Sequence, residues 1–197
     1  MKEIARFVQK LRGMNHVIRW NMHVCLRKEN IAEHSMWVAT FAAILAPAAD
    51  RNALVFAAVT HDYEESITGD LPALVKRATP DWDSTVKRAE AELFRAAVGP
   101  EEREIQDAFI AARHLAETNP VVKIADLFSA LMFARMENEL GNMHFKAIEN
   151  ELIHTIVKAA YKPHLDEGIK SRTLHLLETL GFDANEGVPV QDDISHF

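Results

Sequence analysis

The sequence predicts an all-α protein folded as a single-domain helical bundle. Apolar residues recur at helical spacing along most of the chain, and no segment alternates apolar and polar residues as a half-buried strand does. The 197 residues include only seven glycines and seven prolines, which leaves room for long helices. A chain of this length suits one well-buried domain and is short for two. We therefore expect one domain over residues 1–183 and an irregular tail over 184–197.

The first part of the chain should contain a helix, a loop and a second, longer helix. Residues 4–14 carry apolar side chains at helical spacing, and the less periodic stretch around 19–22 indicates a loop. A long helix is expected to begin at about Asn30, which can cap it because Glu33 follows three residues later. This helix should end near Pro47.

The next helix should deliver a chemically informative pair. Asn52 is expected to cap this helix, and His61 and Asp62 lie at its far end. Gly and Pro within residues 68–72 predict a turn, so the chain beyond the pair should form a loop of the kind that lines binding sites. Later apolar patterns predict helices over residues 84–98, 100–117, 120–139, 142–161 and 163–180.

Composition excludes several classes of protein. The hydrophobic fraction of 48% and the charged fraction of 26% are typical of a globular protein. A formal net charge of −7 argues against a partner that is a nucleic-acid polymer or an anionic membrane. Cys25 is the sole cysteine and the N-terminus lacks a secretory core, so we expect a cytoplasmic protein without disulfides. The apolar runs fall short of the roughly 20 residues that span a bilayer.

Two histidines and two aspartates form a candidate metal site. His61 and Asp62 are adjacent, while His34 and Asp126 each interrupt a pattern typical of a buried helix face. Imidazole and carboxylate suit zinc, manganese, iron or cobalt, and four such ligands leave positions open for water and substrate. A bound cation lowers the pKa of its water and neutralises charge on a phosphoryl oxygen. Hydrolysis of a phosphate ester is therefore the reaction that this set favours.

Three of these four residues, His34, His61 and Asp126, are expected to face the interior. Asp126 falls on one helical stripe with Val122, Ser129 and Phe133. An unpaired buried carboxylate is unfavourable, so a metal ion or a basic side chain should lie near it. His34 and His61 show the same inward register.

Each of these residues has a more ordinary interpretation when it is taken alone. A single histidine on an apolar face is usually a hydrogen-bonded core residue, and a single inward aspartate usually forms a salt bridge or caps a helix. Their joint occurrence favours a metal site, largely through the family resemblance described next. The other histidines show no paired ligand spacing and are interpreted as non-ligands: His16, His23, His114, His144, His154, His164, His175 and His196.

Several motifs occur in an order that is more specific than any one of them. They are Arg19-Trp20, Glu29-Asn30-Ile31-Ala32-Glu33-His34-Ser35, His61-Asp62 with Glu65, Thr68-Gly69-Asp70-Leu71-Pro72, Val75-Lys76 and Lys123-Ile124-Ala125-Asp126. Through this series the chain resembles the HD-domain metal phosphohydrolases, and within them the bacterial 5'-deoxynucleotidases. The resemblance covers most of the chain.

The resemblance implies an all-helical homodimer that removes phosphate from 2'-deoxynucleoside 5'-monophosphates with one divalent ion per chain. The ion would be Co, Mn, Zn or Fe. The ligands that it implies are His34, His61, Asp62 and Asp126. Glu65 would be the proton-handling carboxylate, and it lies one turn after His61 if the helix continues, so both could face one cavity. An acidic pair such as Glu64 and Glu65 is otherwise more often solvated.

The same resemblance assigns the substrate contacts. Arg19 would bind the phosphate with its planar fork as part of the catalytic machinery, and Trp20 would form a wall for the base or sugar. The other contacts would be Asp70, Leu71, Pro72 and Ala73 at the sugar, with Lys76 and Arg77 at the phosphate. Close members of the family carry a hydroxyl residue in place of Ala73, so sugar recognition departs from their pattern there. Outside this resemblance, Trp20 is more often a core residue, and Lys76 and Arg77 are more often solvated.

Two other functions remain open at this point. A small deoxynucleoside triphosphate triphosphohydrolase, such as the dATP-directed type of some phages, shares the ligands and the Arg-Trp pair. A catalytically silent module that binds a nucleotide would need neither the complete ligand set nor Glu65. The 5'-deoxynucleotidase is the favoured interpretation. The native metal and the preferred base do not follow from the residue types.

Overall fold

The computed structural model describes residues 5, 8–9, 11–71, 80–98 and 103–183. These residues form packed α-helices, and no strand occurs among them beyond one isolated antiparallel bridge between Ile18 and Asn30. The predicted all-α fold is confirmed. Along the described ranges, no helix is both long and apolar enough to cross a membrane. The predicted tail over 184–197 lies outside the described residues.

The helices follow one another with short connections. A 3₁₀ turn at Arg12–Asn15 precedes them, and residues 5, 8–9 and 11 of the helix predicted over 4–14 are also helical. In chain order the helices are α1 (Ile31–Leu45), α2 (Arg51–Thr60), α3 (Glu65–Thr68), α4 (Pro80–Val98), α5 (Arg103–Thr118), α6 (Pro120–Glu139), α7 (Phe145–Ala160) and α8 (Glu167–Thr179).

Helices α1 and α6 have the ends that the sequence predicts. The Asn30 side chain accepts a hydrogen bond of 2.9 Å from the Glu33 backbone N–H, which caps α1. Helix α1 ends at Leu45 because Ala46, the residue before a proline, adopts an extended conformation. Asn119 caps α6 in the same way, and Pro120 occupies its first turn, where no backbone N–H is needed.

The predicted cap of α2 is wrong. Helix α2 begins at Arg51, with Asn52 inside its first turn, and the preceding Asp50 makes no side-chain cap bond. The chain enters α2 from a turn in which Asp50 N–H already donates to the Pro47 carbonyl at 3.1 Å. A side-chain cap is therefore not required to begin this helix.

Two later helices begin further along the chain than predicted. Asn142 does not open α7, because its side-chain amide donates to the Val24 carbonyl at 2.8 Å and to the Glu137 carboxylate at 2.7 Å. Helix α8 starts at Glu167, four residues after Pro163, because the Asp166 side chain caps it by accepting from Ile169 N–H. In both cases a specific hydrogen bond overrides the helical spacing of apolar residues.

The loop predicted over residues 68–72 begins one residue later than predicted. Thr68 still belongs to the short helix α3, and the loop starts at Gly69. Gly69 has a φ of 81°, a left-handed conformation that glycine adopts at little cost. Asp70 and Leu71 follow it and are half-buried, while Pro72 lies outside the described residues.

The core of the bundle surrounds α6, which packs between α1 and α7, while α2 packs against both α1 and α5. Buried Ile124, Phe128 and Leu131 of α6 share this core with Leu45 of α1 and Ile156 of α7. Burying one such side chain stabilises the fold by about 1.5–3 kcal/mol. This core holds α1 against α6. Polar side chains that lie at the same height on the two helices therefore stay at a fixed distance from each other.

A buried carboxylate attaches the loop before α1 to the end of α6. Glu137 is fully buried and accepts hydrogen bonds from the backbone N–H groups of Leu26 at 2.8 Å and Arg27 at 2.7 Å. It also accepts the bond from Asn142 described above. Burial opposes ionisation, but these hydrogen bonds, that of Leu26 above all, hold the pKa of Glu137 below its usual value. The loop over residues 20–28 is thus fixed by polar contacts at the end of α6.

We expect Glu137→Ala to lower the free energy of unfolding by about 2 to 4 kcal/mol, since each buried donor left unpaired costs about 1–3 kcal/mol. Glu139→Ala is the matched control because Glu139 is an exposed carboxylate at the end of the same helix. This control should change the free energy by less than about 0.5 kcal/mol. Urea unfolding of both variants measures the difference, and equal losses would contradict an anchoring role for Glu137.

Candidate active site

Two histidines from different helices meet at one point. His34 lies on the buried face of α1 near the start of that helix, and His61 directly follows the last residue of α2. Their Nε2 atoms are 3.3 Å apart, and Asp126 of α6 places Oδ1 at 3.1 Å from His34 Nε2. One ligand atom from each of these three residues lies within 4.8 Å of the others. Within the described part of the chain, this is the group that could hold a metal ion.

Asp62 closes the group from the turn between α2 and α3. Its Oδ2 lies 3.1 Å from His61 Nε2 and 3.5 Å from His34 Nε2. The structure therefore brings together all four residues that the sequence singles out as ligands. Seven of the eight other histidines are described and none of them joins this group, while His196 lies outside the described residues.

The outer ring nitrogens of both histidines are occupied. His61 Nδ1 lies 2.7 Å from the Ala58 carbonyl oxygen, which can only accept, so Nδ1 carries a proton. His34 Nδ1 lies 2.9 Å from the Ser129 hydroxyl on α6, which can accept in the same way. With Nδ1 protonated, the Nε2 atom of a neutral imidazole presents a lone pair. Two Nε2 atoms 3.3 Å apart need a proton or a cation between them, so this donor set fits a divalent cation.

The charges of the group also favour positive charge at its centre. Burial, together with Arg19, lowers the pKa of His34 to about 4. Burial opposes charge on His61 as well, but the neighbouring Asp62 carboxylate raises the pKa of His61 to about 9. Burial likewise opposes ionisation of both aspartates, yet His61 lowers the pKa of Asp62 and His34 lowers that of Asp126. Both carboxylates are therefore held in the anionic form that a metal ion requires.

Asp126 is less enclosed than its sequence pattern predicts. Its stripe neighbours Val122, Ser129 and Phe133 are buried, and the side chain of His34 is fully buried. The side chain of Asp126 is 44% exposed. The prediction of an inward Asp126 is thus wrong in part, because the stripe of α6 passes from the core into an open site at this residue. Solvent reaches the group from the side of Asp126.

Glu65 lies on the other side of the group. It begins α3, is buried, and lines a cavity of about 180 Å³ together with His61 and Asp62. Glu64 lines the same cavity and is also buried. The interpretation of Glu64 and Glu65 as a solvated surface pair is therefore wrong. One turn of chain carries His61 and Asp62 from α2 into the site and Glu65 into the adjoining cavity.

Arg113 of α5 is a residue of the site that sequence reasoning missed. It donates to the Glu64 carboxylate at 2.7 Å and to the Lys87 carbonyl of α4 at 3.3 Å. Its Nε also donates to Glu117 on its own helix at 3.4 Å. Glu64 and Arg113 are 49 positions apart, so no local spacing relates them. The one available signal was general, since a buried acid beside a catalytic pair needs a basic partner.

Arg19 contacts two carboxylates. Its Nη1 donates to Asp62 Oδ2 at 3.1 Å, and its Nε lies 3.4 Å from Glu29 Oε2. Burial opposes the charge on this guanidinium, but Asp62 raises its pKa. The predicted phosphate residue therefore lies directly beside the candidate metal group, with its charge shared between Glu29 and Asp62.

Trp20 combines a packing role with a strained backbone. Its indole stacks on Phe133 at a ring distance of 5.2 Å and meets Phe145 edge-on. Trp20 is half-buried, so its interpretation as a core residue holds only for the part of the ring that packs against Phe133. Its φ of 61° lies in the left-handed region, which costs a bulky residue roughly 1–3 kcal/mol.

Glu29 joins these two predicted substrate residues. It is 3% exposed, and its Oε2 accepts a hydrogen bond of 3.0 Å from Trp20 Nε1. Burial raises the pKa of Glu29 to about 7, although Arg19 acts in the opposite direction. The sequence series includes Glu29, but nothing in its spacing indicates this contact.

The predicted sugar segment is described only at its start. The Asp70 carbonyl accepts a hydrogen bond of 2.8 Å from the Asn21 side chain. This bond joins the segment that carries Trp20 to the segment that carries Asp70 and Leu71, so two predicted substrate regions are adjacent. Pro72, Ala73, Lys76 and Arg77 lie outside the described residues.

Comparisons with solved structures agree with this fold. The HD phosphohydrolase DatZ of cyanophage S-2L, solved with dA and one catalytic zinc ion, superposes with a TM-score of 0.66 at 20% identity. The match covers 87% of this chain and 94% of DatZ. An HD-domain phosphohydrolase of Listeria innocua gives a TM-score of 0.63 at 23% identity, over 90% and 97% of the two chains. At these identities the likeness establishes the helical fold alone.

Comparisons with sequences are more specific. A 5'-deoxynucleotidase of Pasteurella multocida is 33% identical over 168 residues, which cover 79% of this chain and 86% of the relative. A 5'-deoxynucleotidase of Klebsiella pneumoniae is 30% identical over 165 residues, which cover 77% and 82%. Residues 6–169 match the family described as 5'-deoxynucleotidase YfbR-like. The expected family is therefore confirmed, and the chain belongs to the YfbR-like 5'-deoxynucleotidases.

Proposed function

We propose that this protein is a metal-dependent enzyme that hydrolyses 2'-deoxynucleoside 5'-monophosphates to deoxynucleosides and phosphate. The observation that carries the proposal is the convergence of His34, His61, Asp62 and Asp126 on one point beside the cavity of Glu65. Membership of the YfbR-like family supports the substrate class. The open side at Asp126 provides the route by which a substrate could reach the group.

The four converging residues would hold one divalent ion of the Co, Mn, Zn or Fe type. Mixed imidazole and carboxylate ligands suit all of these ions. DatZ, which shares the fold, was solved with one catalytic zinc ion. When bound, such an ion lowers the pKa of its water from about 15.7 towards roughly 7 and neutralises charge on a phosphoryl oxygen.

The protein side chains would supply the remaining chemistry. Arg19, held beside Asp62, would bind a phosphoryl group and offset its negative charge. Glu65 would exchange a proton with the attacking water or the leaving oxygen from its position in the cavity. Arg113 would hold the neighbouring Glu64 and so fix the turn that presents Glu65.

The sugar would lie between Trp20 and the segment after Gly69. The hydrogen bond between Asn21 and the Asp70 carbonyl supports this placement, because it brings the two segments side by side. We propose that Asp70 bonds the 3'-hydroxyl and that Leu71, Pro72 and Ala73 surround the ring. Lys76 would then contact the phosphate.

A homodimer is also proposed, as the family resemblance implies. Helices α1 and α2 present an apolar groove of about 600 Å³ that includes Met36, Ile44 and Val59. These three side chains are 55%, 46% and 42% exposed and line one continuous apolar groove, which is typical of an interaction surface. This groove, which we call the α1–α2 face, is the surface that supports pairing of two chains.

We expect Asp126→Ala to lose the bound metal ion and the activity together, since it removes a ligand. Glu65→Ala should retain the ion yet lower turnover by roughly 10²- to 10⁴-fold, the usual contribution of general acid–base catalysis. Elemental analysis and phosphate release from dAMP measure the two effects. Glu104→Ala, an exposed carboxylate on α5, is the control and should change neither. Full metal retention in Asp126→Ala would remove Asp126 from the ligands, and unchanged turnover in metal-loaded Glu65→Ala would remove Glu65 from the chemistry.

We expect the enzyme, supplied with Mn or Co, to release phosphate and deoxyadenosine from dAMP. A 2'-hydroxyl would be buried without a partner, at a cost of about 1–3 kcal/mol, so kcat/KM for AMP should be roughly 5- to 150-fold lower. Asp70→Ala should abolish the discrimination between dAMP and 2',3'-dideoxy-AMP. Chromatography of the products also tests the alternatives. Release of triphosphate from dATP would favour the triphosphohydrolase, and binding without turnover would favour the silent module.

We expect light scattering on the purified protein to give the mass of two chains rather than that of one 22.2 kDa chain. Ile44→Asp should shift this mass towards one chain, because it places a charge within the α1–α2 face. Leu140→Asp is the control, since Leu140 is 56% exposed at the end of α6, away from that face. A dimer that survives Ile44→Asp would place the interface elsewhere.

A further inference from the structure

A short antiparallel pairing of two backbone segments carries Arg19 and leads directly into Trp20, the two proposed substrate residues. Arg19 N–H donates to the Glu29 carbonyl at 2.9 Å, and Ile31 N–H donates to the Val17 carbonyl at 3.1 Å. The segments 17–19 and 29–31 therefore run antiparallel, with Ile18 bridged to Asn30. Glu29 thus lies directly across from Arg19, at the point where the loop over residues 20–28 leaves and returns.

The side chain of Glu29 connects the same two backbone segments a second time. One of its oxygen atoms, Oε2, accepts from Trp20 Nε1 at 3.0 Å and faces Arg19 Nε at 3.4 Å. Arg19 and Trp20 come from adjacent positions, yet their side chains project towards the metal group and towards Phe133, respectively. A single carboxylate oxygen therefore contacts both side chains.

We propose that Glu29 is a positioning residue that aligns Arg19 for the phosphate and Trp20 for the nucleoside. The inference rests on the proposed function of the site and adds a residue to which the family resemblance assigns no role. The Glu29 carboxylate lies 3.4 Å from Arg19 Nε at ion-pair distance, while Nη1 of the same guanidinium donates to Asp62 beside the metal group. Its bond to the indole also helps to keep Trp20 in its left-handed conformation.

The surroundings of Glu29 indicate positioning rather than stabilisation. A carboxylate that is only 3% exposed is costly to bury, and a buried ion pair is weak evidence for stability. When Glu29 is replaced, Arg19 keeps its contact with Asp62, so no buried charge is left without a partner. Replacement of Glu29 should therefore damage substrate binding more than it damages the fold.

Two variants separate the two contacts. Glu29→Gln retains an oxygen that can accept from Trp20 Nε1 but removes the charge that faces Arg19. We expect it to raise KM for dAMP by about 10-fold, the loss typical of a charge-assisted contact, and to leave inhibition by deoxyadenosine unchanged. Glu29→Ala removes both contacts and should weaken dAMP and deoxyadenosine alike. Metal content and Tm of Glu29→Gln should match those of the wild type.

Glu33→Gln is the matched control. Glu33 is also a glutamate paired with an arginine, Arg27, and it lies four residues after Glu29 without contacting Arg19 or Trp20. This control should keep the wild-type KM for dAMP. An unchanged KM in Glu29→Gln would overturn the proposal. So would a rise in KM accompanied by an equal loss of deoxyadenosine binding or a fall in Tm, because that pattern would indicate a structural role.

A second measurement does not depend on catalysis. The chain has three tryptophans, so replacing Trp37 and Trp82 with Phe leaves Trp20 as the sole indole fluorophore. In that background Glu29→Ala should shift the emission of Trp20 to longer wavelength, and Glu29→Gln should not. No shift in either variant would overturn the role at Trp20. If the wild type fails to hydrolyse dAMP, the proposed function fails, while this spectrum still reports whether Glu29 positions Trp20.

Discussion

Two imidazole nitrogens held 3.3 Å apart, His34 Nε2 and His61 Nε2, are the contact on which the site depends. The Ala58 carbonyl and the Ser129 hydroxyl orient the two rings through their outer nitrogens. Two ring nitrogens at this distance need a proton or a cation between them, and Asp62 and Asp126 stabilise that positive charge from either side. The packing of α1 against α6 and the end of α2 maintain this arrangement.

Around this centre, two of the acidic residues that line the cavity, Asp62 and Glu64, have a basic partner from a separate element. Arg19 reaches Asp62 from the loop before α1, and Arg113 reaches Glu64 from α5. Both contacts are largely buried, so loss of one partner would leave a charge without compensation. The helices at the rim of the bundle are therefore tied to the chemistry of the site as well as to the apolar core.

The loop that carries the predicted substrate residues is held by buried carboxylates as well as by apolar packing. Glu137 binds the end of this loop through the backbone N–H groups of Leu26 and Arg27. Glu29 contacts Trp20 and Arg19 where the loop begins. Polar anchors of this kind fix direction as well as distance, because hydrogen bonds are directional and apolar contacts are not. A strained Trp20 backbone can persist there because several contacts determine it at once.

The sequence by itself determined the all-α fold, both ends of α6, the Asn30 cap of α1 and the four residues that converge on the site, because helical spacing and capping are local rules and the motif order is specific. Tertiary structure decided the open position of Asp126, the late start of α7 and the partners of Glu29, Glu64 and Glu137. Glu137 and Leu26 are 111 positions apart, and Glu64 and Arg113 are 49 apart. A buried polar group must find a partner, but which partner it finds depends on helix packing that brings distant positions together, and no local pattern encodes that choice.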